Sequence, residues 1–146
     1  MRILAVDLGL SRTGLAVSDP LGQLASPVGT LTEKSPERLL DRVAAAMQEQ
    51  GAQTAVVGHP RNMDGSRGES ARRAEAFAQA LGEKTGLPVI LWDERMTTMS
   101  AIGYLNETDV RGKKRKAMVD TVAATIILQD YLDHLRLTAA QAEPEK

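Results

Sequence analysis

Two consecutive segments set the architecture of this chain: Ile3-Leu4-Ala5-Val6-Asp7-Leu8-Gly9 and Ser11-Arg12-Thr13-Gly14-Leu15-Ala16-Val17-Ser18-Asp19. Each contains an apolar run, and the glycine-bearing turn between them predicts an antiparallel hairpin. The first run ends on one carboxylate, Asp7. Burial of a strand gives no reason for a charge at its end, whereas a metal ion or a phosphate group does. Asp7 is therefore the first candidate functional residue; the alternative is that it only caps the turn over residues 9–12.

The rest of the chain alternates helical and strand patterns after an initial three-stranded meander. Later strands enter through helices and so must run parallel to the first. The pattern predicts an α/β fold with a five-stranded mixed sheet in the order 3-2-1-4-5, strand 2 antiparallel, flanked by helices on both faces. The predicted strands are 2–7, 13–18, 22–30, 54–58 and 89–92, and the predicted helices are 36–51, 69–84, 97–106 and 115–136. We expect one domain over 1–136 and a flexible tail over 137–146.

The composition excludes several kinds of chemistry. The chain has 146 residues and no cysteine, so disulfides, thiolate zinc sites and cysteine nucleophiles are excluded. No leader pattern or membrane-spanning apolar run is visible, and we expect a soluble, cytoplasmic protein without membrane contact. The net charge of −1 gives no overall indication of nucleic-acid binding, although basic residues cluster between residues 111 and 116.

Two adjacent carboxylates, Asp93 and Glu94, close the last predicted strand at the same sheet edge as Asp7. Open α/β sheets bind their ligands at this edge. Because successive strand residues face opposite sides, only one of the pair can point toward Asp7. About 10 Å separates the two strand backbones, a gap that suits the longer side chain. Glu94 is therefore preferred, with Asp93 as its substitute.

Two further aspartates receive opposite interpretations. Asp120 lies in the last helix with Ala117, Ala123 and Ala124 one turn away, so it sits on a face of small residues that can approach the sheet. A carboxylate there is costly unless something positive meets it; the alternative is an exposed, solvated position. Asp19 ends the antiparallel second strand, which places it at the opposite sheet edge, and we interpret it as a turn residue.

Asp7, Glu94 and Asp120 together predict an oxygen-rich site without cysteine and nearly without histidine. Such a donor set suits Mg²⁺ or Mn²⁺ rather than zinc. Two such ions can align a water molecule and a leaving oxygen for phosphodiester hydrolysis. Polar and basic side chains near this edge could hold a nucleic-acid backbone: Ser11, Arg12, Arg61, Asn62, Arg67, Arg95, Lys113, Lys114, Arg115 and Lys116. For the 107–116 segment, solvated surface is the alternative interpretation.

Four motifs in this order resemble those of the YqgF family over residues 1 to about 135: Asp7-x-Gly9-x-x-Arg12-x-Gly14-x-Ala16-Val17-Ser18-Asp19, Val57-Gly58-x-Pro60-x-Asn62-Met63-Asp64-Gly65-Ser66, Asp93-Glu94-Arg95, and Val119-Asp120-x-x-Ala123-Ala124. The family is similar to Holliday-junction resolvases and is also described as the nuclease for the 5′ end of precursor 16S rRNA. The resemblance implies a ribonuclease H-like fold, metal binding by Asp7, Glu94 and Asp120, and rRNA processing in ribosome biogenesis. His59 and Arg61 depart from the family, which usually has aliphatic residues there.

Four functions remain to be separated. The preferred one is a metal-dependent endonuclease acting on precursor rRNA, as a monomer or weak homodimer. The second is a resolvase of branched DNA, which would need a symmetric dimer. The third is an actin-like ATPase or sugar kinase, which needs two lobes where this chain has room for one. The fourth is a non-catalytic nucleic-acid-binding module such as a transcription factor, which would not need three carboxylates.

Overall fold

The structure is a computed structural model that describes residues 1–94 and 112–142, with side chains described for 1–94 and 121–138. Its strands are β1 (Arg2–Asp7), β2 (Arg12–Ser18), β3 (Ala25–Thr32), β4 (Ala52–His59) and β5 (Val89–Asp93), and its helices are α1 (Pro36–Gln50), α2 (Glu69–Thr85) and α3 (Gly112–Ala142). Within those residues, no helix combines the length and the apolar character needed to cross a membrane.

The sheet has the predicted strand order, β3-β2-β1-β4-β5. β2 pairs antiparallel with both β1 and β3, whereas β4 and β5 run parallel to β1. β3 contains Pro27 and lies at the edge, where the missing backbone N–H of proline is tolerated. The carboxyl ends of β1, β4 and β5 therefore meet at one edge of the sheet.

Helices cover both faces of this sheet, as predicted. The apolar stripes of α1 and α2 pack with Leu4 and Val6 on one face. Helix α3 packs on the other face against Ile3 and Ala5. Because side chains alternate along a strand, the parity of a residue in β1 tells which helices it faces.

Small side chains allow α3 to lie close to the sheet. Ala5, Ala16 and Ala124 are each completely buried in the cluster between α3 and the strands. The small-residue face predicted for this helix is confirmed at Ala124. Asp120 lies one turn before Ala124 in the same helix.

Element boundaries differ from prediction mainly in α3. This helix begins at Gly112, so Lys113 and Lys114 belong to the helix and not to a loop as expected. The earlier start has a simple reason, because Lys, Arg, Ala and Met all favour helix. The helix also continues to Ala142, so residues 137–142 of the expected tail are helical. β3 lies about three residues later than expected. The predicted helix 97–106 lies outside the described residues.

Candidate active site at the carboxyl edge of the sheet

Asp7 lies at the end of β1, directly beside the end of β4. Val6 is paired with Val57 in the parallel register, so Asp7 is level with Gly58. Asp7 has the same parity as Ile3 and Ala5, which both pack against α3. The register and the alternation together put Asp7 on the α3 face, at the edge where ligands of such sheets bind.

Glu94 follows β5 immediately, and its carboxyl group lies against the backbone of Gly58. A Cβ atom added at Gly58 would be 2.5 Å from Glu94 Oε2 and 3.0 Å from Ile127 Cδ1. Ile127 belongs to α3, so Glu94 points to the α3 face. Glycine at position 58 leaves space for the carboxyl group in this position. Gly58 lies in β4, between the strand that ends in Asp7 and the strand that precedes Glu94. We call the space that it leaves for the Glu94 carboxyl group the cradle.

The environment of Glu94 disfavours the charged form of its carboxyl group. Burial raises the pKa of Glu94 above its ordinary value, and the neighbouring charge of Asp93 raises it as well. Among the described groups, the charge of His59 opposes this rise. A half-buried carboxylate with a raised pKa at this edge of the sheet is a candidate metal ligand, and this role of Glu94 stays a prediction.

Asp93 faces the other side of the sheet. It has the parity of Val89, which packs against the cluster of α1 and α2, whereas Trp92 packs against α3. The geometry thus agrees with the preference for Glu94 over Asp93. The ligand role of either carboxylate stays a prediction.

Asp120, the third predicted ligand, lies in α3 one helical turn before Ala124. Its side chain is outside the described residues. Among the described side chains, no three carboxylates or histidines are close enough to hold a metal ion. Asp7 and Glu94 lie at the same edge and on the same face of the sheet, and metal binding by Asp7, Glu94 and Asp120 stays a prediction.

A tight turn after Asp7 carries Ser11 and Arg12 to the same edge. A Cβ atom at Gly9 would collide with the carbonyl oxygen of Arg12, so only glycine permits this turn. The carbonyl oxygen of Ser11 accepts a hydrogen bond from the backbone N–H of Glu33 at 2.9 Å. This fixes the turn to the segment that leads into α1.

The loop over residues 60–68 is held together by its own polar side chains. Arg61 donates from Nε and from its terminal nitrogen to the carbonyl oxygen of Gly65, at 3.1 and 2.5 Å. Asn62 donates to Ser66 Oγ at 2.8 Å. Arg61 and Asn62, both predicted nucleic-acid contacts, therefore also shape the loop.

His59 and Arg67 are joined through Glu75, a residue that sequence reasoning missed. His59 Nε2 lies 2.6 Å from Glu75 Oε2, and Arg67 donates to both carboxylate oxygens at 3.1 Å. These contacts lower the pKa of Glu75, the hydrogen bond from His59 most of all. The available signal was weak: Glu75 lies in α2 beside the buried position Ala74.

The remaining positions singled out in the sequence fall into two groups, one that the structure describes and one that lies outside the described side chains. Asp19 is confirmed as a turn residue: its Oδ1 accepts hydrogen bonds from the backbone N–H groups of Gln23 and Leu24 at 2.6 and 3.1 Å. It lies at the edge opposite Asp7, beyond Ser18, whose hydroxyl accepts from Ile3. The predicted contacts that lie outside the described side chains are Arg95, Lys113, Lys114, Arg115 and Lys116.

Solved structures share this architecture. Thermus thermophilus RuvC, in a structure with a Holliday junction substrate, matches with a TM-score of 0.58 at 14% identity, covering 92% of this chain and 96% of that one. The fowlpox virus Holliday junction resolvase matches with a TM-score of 0.53 at 12% identity, covering 92% and 99%. The predicted ribonuclease H-like fold is thereby confirmed.

Sequence comparison identifies the family. The family model RuvX, described as Holliday junction resolvase, matches residues 1–134. A protein of Geobacillus kaustophilus is 46% identical over 139 residues, covering 93% of this chain and all of the relative; one of Listeria monocytogenes is 44% identical over 135 residues, covering 91% and 98%. Both are named "Putative pre-16S rRNA nuclease". The chain belongs to the RuvX (YqgF) family, whose members are nucleases, and the predicted resemblance is confirmed.

Proposed function

We propose that this chain is a divalent-metal-dependent endonuclease that matures the 5′ end of precursor 16S rRNA. One observation carries the catalytic part of this proposal. Glu94 holds its carboxyl group in a half-buried position against Gly58, beside the end of the strand that carries Asp7. The substrate follows the names of relatives that this chain covers over their full length or nearly so. We place its activity in the cytoplasm, with the chain acting as a monomer or a weak homodimer.

The donor set fits Mg²⁺ or Mn²⁺. Asp7 and Glu94 offer carboxylate oxygens on one face of the sheet, and Asp120 lies in the helix that covers this face. These three residues would hold the metal. Hard divalent cations take oxygen ligands of this kind. A metal bound here would lower the pKa of a water molecule and neutralise charge that develops on the phosphate.

The protein groups around the carboxylates would orient the substrate. Ser11 and Arg12 lie in the turn that follows Asp7, and the 60–68 loop follows β4 at the same edge. Backbone contacts position a nucleic acid without reading its sequence. We assign the same role to the side chains predicted from sequence: Arg61, Asn62, Arg67, Arg95, Lys113, Lys114, Arg115 and Lys116.

A resolvase of branched DNA is the second candidate, because the matching family model is described as Holliday junction resolvase. The two functions are separated by incubating the wild-type chain with Mn²⁺ and either a precursor 16S rRNA fragment or a four-way DNA junction of matched concentration. We expect cleavage of the RNA near its mature 5′ end and much slower cleavage of the junction. Preferential, symmetric cleavage of the junction would support the resolvase, and cleavage of neither would contradict both proposals.

A further inference from the structure

An apolar groove lies at the same edge of the sheet but on the face opposite Glu94. It has a volume of 460 Å³ and runs between the start of α1, the first half of α2 and the turn after β1. Leu39 and Phe77 form part of its wall and are buried in the core below. Leu10 extends the apolar surface outward, with 78% of its area exposed. The groove has a size typical of ligand sites, and it continues onto an open rim.

Arg73 lines this groove with an unsatisfied group. Its Nε atom is shielded from water and has no hydrogen-bond partner among the described residues. Arg73 as a whole is half-buried, and no ion pair in the described part of the chain involves it. A shielded donor without a partner costs free energy, and a carboxylate entering the groove would supply the acceptor that Nε lacks.

The remaining charges at the groove do not neutralise Arg73. Glu33 also lines it, but its carboxylate already interacts with Arg42 at 3.6 Å and Arg38 at 3.8 Å. Lys34 and Glu37 are exposed at the rim and carry opposite charges. The groove thus combines an apolar floor, one uncompensated cation and a rim of mixed charge.

These features favour a protein segment over a nucleic acid. Stacking of bases needs exposed aromatic faces, whereas the single aromatic residue at the groove, Phe77, is 8% exposed. An amphipathic peptide segment matches the groove, because aliphatic side chains can fill the floor while an acidic residue meets Arg73.

We propose that this groove docks an amphipathic segment of a partner protein, with aliphatic anchors over Leu39 and Phe77 and one carboxylate paired with Arg73. The docked segment contacts the turn that follows Asp7 on the face of the sheet that α1 and α2 cover. It occupies a surface separate from the carboxylates that would bind metal. The interaction does not depend on nuclease activity.

The test is selection of a random peptide library, displayed on phage, against the full wild-type chain. We expect recovered peptides to combine aliphatic with acidic residues. Their affinity, measured by fluorescence anisotropy on synthetic copies, should fall about tenfold in Arg73→Gln, which loses one charge-assisted contact. Arg72→Gln, at an exposed neighbouring position, is the matched control and should bind normally. Leu10→Asp should also weaken binding. The side chain of Leu10 is exposed at the rim, so this substitution should leave folding intact.

Four results would overturn the proposal. The first is the absence of any peptide enriched on the wild type over Arg73→Gln. The second is equal loss of affinity in Arg72→Gln and Arg73→Gln. The third is displacement of the bound peptide by a single-stranded RNA oligonucleotide. The fourth is a concentration-dependent dimer of this chain that Arg73→Gln abolishes, which would assign the groove to a second copy.

Discussion

Glu94 and Glu75 lie near the same edge of one sheet, on opposite faces, and their environments are opposite. Glu75 is held by His59 and Arg67, which lower its pKa. Glu94 is half-buried against Gly58, and its pKa is raised. Glu75 has two cationic partners in direct contact, whereas among the described residues Glu94 meets only the charge of His59, which lowers its pKa less than burial raises it. A carboxylate in such an environment is suited to a cation that arrives from outside.

The largest expected effect is on cleavage. Glu94→Gln keeps the shape of the side chain and removes its charge, so metal-dependent cleavage should fall by roughly two orders of magnitude or more. Asp7→Asn should behave in the same way. Initial rates on the precursor rRNA fragment in Mn²⁺ measure both. Glu75→Gln and Asp19→Asn, which alter carboxylates outside the site, should retain most activity. Equal losses in Glu94→Gln and Glu75→Gln would remove the distinction between the two faces.

A second test disturbs Glu94 without changing it. In Gly58→Ala the new methyl group would lie only 2.5 Å from Glu94 Oε2 and 3.0 Å from Ile127 Cδ1. Because the end of a glutamate side chain can move, the protein should still fold, but its cleavage rate should fall by about tenfold or more. Gly82→Ala is the control: its nearest contacts would be an ordinary 3.7 Å. Full activity in Gly58→Ala would show that the cradle does not position Glu94.

The smallest expected effects are on the free energy of unfolding. Replacing Glu94 and replacing Glu75 by glutamine should change it in opposite directions. The raised pKa of Glu94 means that the folded state binds a proton more readily than the unfolded state. This carboxylate therefore destabilises the metal-free protein increasingly as the pH rises from about 4.5, the ordinary value, through the raised pKa. Glu94→Gln should raise stability in EDTA at neutral pH by on the order of 1 kcal/mol. The gain should vanish below the ordinary pKa.

Glu75→Gln should do the reverse. Its lowered pKa stabilises the folded state above the ordinary glutamate value, and that contribution is lost as the pH falls through the lowered pKa. The substitution should therefore destabilise the protein at neutral pH and have little effect in acid. Thermal unfolding of both variants across this pH range provides the comparison. Changes of the same sign would contradict the assigned environments.

The sheet was predictable from sequence because its determinants are local. The apolar runs, the turn after Asp7 and the helical connections set strand order and direction. The preference for Glu94 over Asp93 also came from strand alternation and side-chain length. In each case the relevant information lies within a few residues along the chain.

The features that were missed depend on contacts between distant segments. The link between His59 and Glu75 crosses 16 positions and requires the placement of α2. The cradle at Gly58 exists only because β5 brings Glu94 against β4. The start of α3 was wrong for a different reason: a cluster of basic residues was interpreted as a loop although these residues favour helix.

Manganese binding tests the central claim most directly. Isothermal titration of the full chain with Mn²⁺ compares the wild type with Asp7→Asn, Glu94→Gln and Asp120→Asn, and with Asp93→Asn as the matched control on the other face. Each of the three substitutions should weaken binding roughly tenfold or more, because each removes one carboxylate ligand. Asp93→Asn should bind Mn²⁺ nearly as well as the wild type. If Asp93→Asn weakened binding as much as Glu94→Gln, or if the three variants bound normally, Asp7, Glu94 and Asp120 would not form the metal site.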